Sequence, residues 1–138
     1  MARAVELAEA VAAELSDYGA EVSLAPEFAL GDVKDMKVVV VPAGVAHNLI
    51  ARGHHEDVVK VQIGILKRAS PEEVVDLVSF AEYLAVGFLG RILCGSARCM
   101  KAENAPLYVP EHLRERRQFT GVVELTFKEI ASGGAGRI

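Results

Sequence analysis

The chain has too few cysteines for a disulfide framework, with only Cys94 and Cys99 in 138 residues. Small secreted domains that depend on disulfides are much richer in cysteine. The gap between the two also differs from the two-residue gap of common redox and zinc motifs. A catalytic thiolate would need a nearby base and an electropositive pocket, and no such arrangement is recognisable. We therefore expect two free, semi-buried thiols in a reducing compartment.

A basic excess is also missing, because the formal net charge is −4. Domains that bind nucleic acid by neutralising phosphates usually carry net positive charge. Here the basic residues cluster chiefly at Arg114, Arg116 and Arg117. The charge balance therefore argues against a nucleic-acid-binding domain.

Long hydrophobic runs are missing too. A membrane-spanning helix needs roughly 18 or more apolar residues in sequence, and the longest candidate, residues 74–93, contains Asp76, Glu82 and Arg91. The first apolar stretch is interrupted by charges as well, which is unlike a secretory signal peptide. We expect neither a membrane segment nor a signal sequence.

Glycine-rich segments occur, but they do not stand where a phosphate-binding loop is found. Gly95-Ser96 follows a predicted helix rather than a strand, and no helix follows Gly133–Gly136. A phosphate loop joins a strand to the start of a helix. Neither segment is therefore interpreted as a phosphate site, and no catalytic residues are assigned.

Hydrophobic periodicity predicts two helices. The first runs from Ala2 to about Ser16, and the second begins at the capping-box sequence Ser70–Glu73 and ends near Arg91. Alternating or β-branched runs predict four strands, at Glu21–Leu30, Met36–Val41, Val58–Lys67 and Gly121–Ile130. The remaining segments are predicted to be a long hairpin loop at residues 43–57 and a connector at residues 95–119.

The element order α-β-β-β-α-β predicts an α+β fold. We expect a two-layer sandwich, with a mainly antiparallel four-stranded sheet and two helices packed on one face. Residues 1–131 form a single predicted domain, and the glycine-rich residues 132–138 a flexible tail. Hydrophobic residues make up 51% of the chain, which is enough for a core of that kind.

The densest polar cluster is His54–Asp57, with His54 and His55 adjacent to each other. A metal site there would need a third ligand brought in by folding, with His47 and His112 as candidates. Adjacent histidines in a loop are more often simply solvated. The favoured interpretation therefore assigns no metal and no cofactor.

The predicted connector mixes arginines with apolar side chains. Arginine and aromatic residues are enriched at protein interfaces, where guanidinium groups pair with carboxylates. We predict a subunit or partner interface at the following residues, together with the loop histidines His54 and His55: Leu107, Tyr108, Leu113, Arg114, Arg116, Arg117 and Phe119.

The segment Pro106–Thr120, followed by the strand Val122–Lys128, resembles small proteins encoded in phage and prophage tail modules. Upstream, the run Asp32–Pro42 and the capped second helix fit the same pattern. The whole α-β-β-β-α-β order is similar to the tail terminator, or tail-completion, family of long-tailed phages, which includes the lambda-like minor tail protein U.

This resemblance implies a structural virion protein, not an enzyme. Family members form hexameric rings that cap the tail tube, stop its polymerisation and present a head-joining surface. The implied partners are further copies of the chain, the tail tube protein and a head-side neck or connector protein, with DNA passing through the lumen unbound. The implied location is the tail or neck of the virion, assembled in the host cytoplasm.

Two other interpretations stay open. One is a different neck, connector or tube-like component, because such proteins share related folds. The other is a small metal- or ligand-binding α+β domain that uses the histidine loop or the cysteines.

Overall fold

The computed structural model describes residues 2–24 and 35–132. The helices are α1 (Arg3–Glu14), α2 (Pro71–Phe88) and α3 (Pro110–Arg116), and a 3-10 turn spans Ser16–Tyr18. The strands are β1 (Glu21–Val22), β2 (Lys37–Ala51), β3 (His54–Arg68), β4 (Ile92–Leu93), β5 (Ala97–Glu103) and β6 (Gln118–Ser132). Within these ranges no helix has the length and apolar character needed to cross a membrane.

The predicted four-stranded sheet with two helices is wrong. The described strands form one six-stranded, curled sheet in the order β1-β2-β3-β6-β5-β4, and the described residues contain three α-helices. The sheet is mixed because β1 pairs parallel with β2, whereas the other pairs are antiparallel. Of the first predicted strand, Glu21–Val22 is extended, and residues 25–30 lie outside the described ranges, as does the predicted tail from residue 133.

Part of this error lies in the segment predicted to be a connector, residues 95–119, which contains β5 and α3, and β4 lies just before it. Only the beginning of β5 alternates clearly, with Ala97 and Cys99 buried and Arg98 and Met100 exposed. A bulge between Cys99 and Lys101 then breaks the alternation. A strand that loses its period of two after four residues gives little sequence signal.

The predicted loop at residues 43–57 is instead the far half of a long hairpin. β2 and β3 are each 15 residues long, and only Arg52 and Gly53 form the turn between them. Gly53 has φ of +76°, a left-handed conformation that glycine adopts without a steric penalty. We call residues 43–58 and the adjoining β6 residues 128–132 the arm.

One face of the sheet supplies the core. The predicted inward residues of β3, Val59 to Ile65 in alternation, are each at most 1% exposed. They pair with Val123, Leu125 and Phe127 of β6 and with Val40 of β2. Burying each such side chain fully stabilises the fold by roughly 1.5–3 kcal/mol.

Helices α1 and α2 complete the same core cluster. α1 packs against β2 and β3, and α2 packs against β5 and β6. The capping box predicted at the start of α2 is present, with Ser70 and Glu73 bonded reciprocally. The helix ends at Phe88, three residues earlier than predicted.

Gly121 lies where β6 has no room for a side chain. A Cβ at this position would stand 2.8 Å from Cε1 and 2.9 Å from Cζ of the Phe119 ring. The ring is fully buried, so it has little freedom to move aside. Glycine is therefore required here for close packing.

We expect Gly121→Ala to lower the free energy of unfolding by about 1–3 kcal/mol, because the added methyl group overpacks the core. Gly87→Ala is the matched control, since an added Cβ in α2 meets nothing within 4 Å. That control should be neutral or should stabilise by up to about 1 kcal/mol. Urea denaturation of both variants measures the difference, and equal effects would contradict the packing at Gly121.

Candidate functional site

The arm holds a polar cluster of two histidines and one aspartate. Nδ1 of His47 lies 2.6 Å from Oδ1 of Asp57, and Nδ1 of His55 lies 2.7 Å from the same oxygen. The Asp57 side chain is 12% exposed, whereas the side chains of His47 and His55 are 64% and 31% exposed. One oxygen of a nearly buried carboxylate thus bridges two imidazoles that solvent can reach.

Strand register brings the cluster together. His47 pairs directly with Asp57 across the hairpin, and His55 lies two residues before Asp57, on the same face of β3. A register shift between Leu49 and Ala51 is essential to this arrangement. Without it, His47 would pair one residue further along β3 and its side chain would point to the opposite face.

Electrostatics favours the ionised form of Asp57. Burial by itself raises the pKa of this carboxyl, but the hydrogen bonds from His47 and His55 outweigh burial, so the pKa is lowered. The carboxylate therefore carries a negative charge at neutral pH, at the end of the core face.

A second polar group adjoins this cluster, because Glu129 pairs with Asp57 across β3 and β6. Nε of Arg3 donates to Oε1 of Glu129 at 2.7 Å, and one further guanidinium nitrogen donates to Oε2 at 2.8 Å. Ser96 donates to Oε2 at 2.7 Å. The bidentate pair ties the start of α1 to β6.

The Arg3–Glu129 pair shifts both pKa values. Hydrogen bonding to Arg3 is the main cause that lowers the pKa of Glu129, against the opposing effect of burial. The bond to Glu129 likewise raises the pKa of Arg3. Both groups are therefore charged over the whole neutral range, and their charges offset each other.

The predicted interface residues of the connector do not form one exposed surface. Leu107, Arg114, Arg116 and Arg117 are exposed, and Tyr108 and Leu113 are half-buried. Phe119 is 0% exposed and belongs to the core cluster. Phe119 is therefore not exposed for contact with another subunit. Its ring packs against that of Tyr108, with ring centroids 5.9 Å apart.

The histidines are separated into three environments. His54 is exposed on the opposite face of β3 from His55. His112 lies in α3, where its Nδ1 is 2.8 Å from Oγ1 of Thr120. Of the two histidines considered as a third metal ligand, His47 joins the cluster and His112 does not. His54 also lies outside the cluster.

Both cysteines are free thiols, as expected from their number and spacing. Burial is the main cause that raises the pKa of Cys94 and of Cys99. Each therefore remains protonated at neutral pH, which is the opposite of what a nucleophilic cysteine needs.

Two exposed apolar surfaces contain residues that the sequence analysis did not name as interface residues. One is on the outer side of α2, where Val75, Tyr83 and Val86 follow one another at helical spacing. The other is on the arm, where Val45 and Leu49 share the face of His47. The sequence of α2 contains a signal for the surface on this helix, because its apolar residues are more numerous than one core-facing stripe requires.

Comparison with known proteins gives no assignment. No protein-family model matches the chain. The curated proteins contain no significant match to it either. The site must therefore be interpreted from its own geometry.

We expect the Arg3–Glu129 pair to contribute a coupling energy of about 1–3 kcal/mol, because it is charge-assisted, bidentate and partly buried. A double-mutant cycle with Arg3→Met and Glu129→Gln, followed by urea denaturation at pH 7, measures it. The exposed pair Arg91–Glu14, with the corresponding substitutions, is the control and should give under about 1 kcal/mol.

The same pair predicts a pH dependence. Folding lowers the pKa of Glu129 below its ordinary value of 4.5. The contribution of this carboxylate to the free energy of unfolding is therefore complete above that pH. The contribution is lost as the pH falls through the lowered pKa. The stability difference between the natural chain and Glu129→Gln should therefore shrink on acidification, and a difference that grows instead would contradict the assignment.

Phe119→Ala should destabilise the monomer by about 3–5 kcal/mol, because it leaves a cavity in the core. Leu107→Ala is the matched control in the same segment and should cost under about 1 kcal/mol, since Leu107 is 51% exposed. Thermal and urea unfolding of both variants separate a core role from an interface role. An unchanged monomer stability in Phe119→Ala would restore the interface hypothesis.

Proposed function

We propose that the protein is a structural subunit that assembles with copies of itself into a closed ring, and that it serves as a tail terminator of a long-tailed phage or prophage. The observation that carries the proposal is the arm. In the arm the side chains of the outer half of β2 are exposed, and β2 and β3 are joined by a two-residue turn. A single chain gains little from such an extension, since its apolar side chains stay in water.

The arm presents apolar side chains that the other described parts of the chain leave exposed. Leu49 is 77% exposed, and Val45, on the same face of β2, is 43% exposed. Exposed apolar side chains that lie together on a projecting element are typical of an interaction surface. The arm is therefore the first of the two contact surfaces that we propose.

The outer side of α2 is the second contact surface. Tyr83 is 68% exposed and lies between Val75 and Val86 at helical spacing. The helix carries four acidic residues and no lysine or arginine. The turn of the arm carries Arg52, a cation that can pair with an acidic residue of α2.

Two different patches on one subunit suit a head-to-tail contact. In such a contact the arm of one copy lies on α2 of the next, and the chain of contacts closes into a ring when the rotation is suitable. A two-fold dimer would instead place one patch against itself. The separation of the arm from α2 therefore favours a ring, and the tail terminator resemblance implies six copies.

The particular role within the ring comes from the resemblance of the sequence to the tail terminator family. The structure departs from the element order of that resemblance, because β4, β5 and α3 stand between α2 and β6. In the proposed role the ring caps the tail tube, stops tube growth and offers a surface to the head-side neck protein. A net charge of −4 suits a lumen through which DNA passes without being held.

Two substitutions on different surfaces test the ring. We expect Leu49→Glu on the arm and Tyr83→Glu on α2 each to raise the concentration needed for assembly at least about tenfold, because each buries a charge in an apolar contact. Met100→Glu is the control, because Met100 is 54% exposed on β5 and belongs to neither surface. Light scattering over a concentration series measures the native mass, with circular dichroism to check folding.

Mixing the two variants gives the sharper result. Leu49→Glu retains an intact α2 surface and Tyr83→Glu retains an intact arm, so an equimolar mixture should form heterodimers but no closed ring. Variants that assemble as readily as Met100→Glu would refute the arm-to-α2 contact. A natural chain that stays monomeric at all concentrations, both alone and with isolated tail tubes, would refute the proposed function.

A further inference from the structure

We propose that His47, His55 and Asp57 form a binding site for one divalent transition metal ion of the zinc class. One ligand atom from each of the three side chains lies within 4.8 Å of the others. The inference does not depend on the ring, because all three ligands come from one chain.

The donor set determines the class of metal. Two imidazole nitrogens and one carboxylate oxygen suit zinc and its neighbours among the divalent transition metals. Magnesium and calcium prefer sites made of oxygen ligands. Three protein ligands leave at least one coordination position open to water or to a group from another molecule.

The present distances require only small movements. Ligand atoms about 2.0–2.2 Å from a tetrahedral zinc ion are about 3.3 Å apart, whereas the two Nδ1 atoms now lie 2.6 and 2.7 Å from Oδ1 of Asp57. The ion replaces the two bridging hydrogens, and each neutral imidazole carries its proton on Nε2 instead. His47 has room for this change because its side chain is 64% exposed.

The rest of the site is held in place before any ion arrives. Asp57 is buried and ionised, and the backbone of β3 is paired on both sides, with β2 and with β6. The neighbouring carboxylate, Glu129, is bonded to Arg3 and Ser96 and is not one of the three clustered ligands. Ligands fixed on rigid strands lose little freedom on binding.

The bulge in β2 also points to a site. It leaves Ile50 without a pairing residue on β3, and it puts His47 on the same face of the hairpin as Asp57 and His55. Bulges are common next to functional sites, where they redirect a side chain. A regular hairpin with the same turn would separate His47 from its two partners.

The test uses the full chain without an affinity tag, stripped with a chelator and titrated with zinc chloride in a calorimeter. We expect one zinc ion per chain and a zinc-dependent rise in melting temperature, because the ion binds only the folded state. Magnesium chloride should cause neither effect. His55→Gln and His47→Gln should each weaken zinc binding at least about tenfold.

His54→Gln is the matched control. It removes an exposed histidine from the same strand, on the opposite face from the site, and should leave zinc binding unchanged. Should His55→Gln be too unstable to use, His47→Gln gives the same test at a more exposed position.

Three results would overturn the proposal. The first is no binding by the natural chain at stoichiometric zinc. The second is binding of several ions per chain, which would indicate scattered imidazoles. The third is an equal loss of binding in His54→Gln and His55→Gln.

Discussion

The antiparallel pairing of β3 with β2 and β6 is the constraint on which the rest of the structure depends. β3 pairs along all 15 residues with β6, and nearly as far with β2. Because side chains alternate along a strand, this register assigns each β3 residue to one face. Val61 and Ile63 therefore enter the core, and Asp57 and His55 continue the same face beyond it.

Different forces hold the two halves of this three-stranded unit. Near the helices, apolar burial and backbone pairing act together, and α1 and α2 close the core. In the arm, the β2 side chains are exposed, so backbone hydrogen bonds and polar contacts maintain the structure. The Arg3–Glu129 pair stands at the boundary, where it fixes the start of α1 to β6. The exposed half is stable because it continues strands that the core already aligns.

The sequence predicted the elements that have a regular hydrophobic pattern. The α2 capping box, α1 and the inward residues of β3 follow from local spacing, and the structure contains them. The outer half of β2 could not be predicted in this way, because a strand exposed on both faces shows no alternation. β5 loses its alternation at a bulge, and the fully buried Phe119 was assigned to a surface because its neighbours are charged.

The polar cluster was predictable only in part. The sequence shows that His54, His55 and Asp57 are close along the chain, but it places them in a predicted loop and not on β3, where His55 and Asp57 share one face. It does not show that a bulge turns His47 toward them, because that depends on a register set by the core far from the turn. The two exposed apolar surfaces have different explanations, because Leu49 falls in a predicted loop and Tyr83 lies on a helix whose apolar residues are nearly continuous.

The central claim is that the arm is an assembly element. Electron cryo-microscopy of the natural chain at high concentration, alone and with tail tubes, tests this most directly. The account predicts closed rings in which the arm of each subunit lies across α2 of the next. Isolated monomers under both conditions, or two-fold dimers in which one surface meets itself, would contradict it.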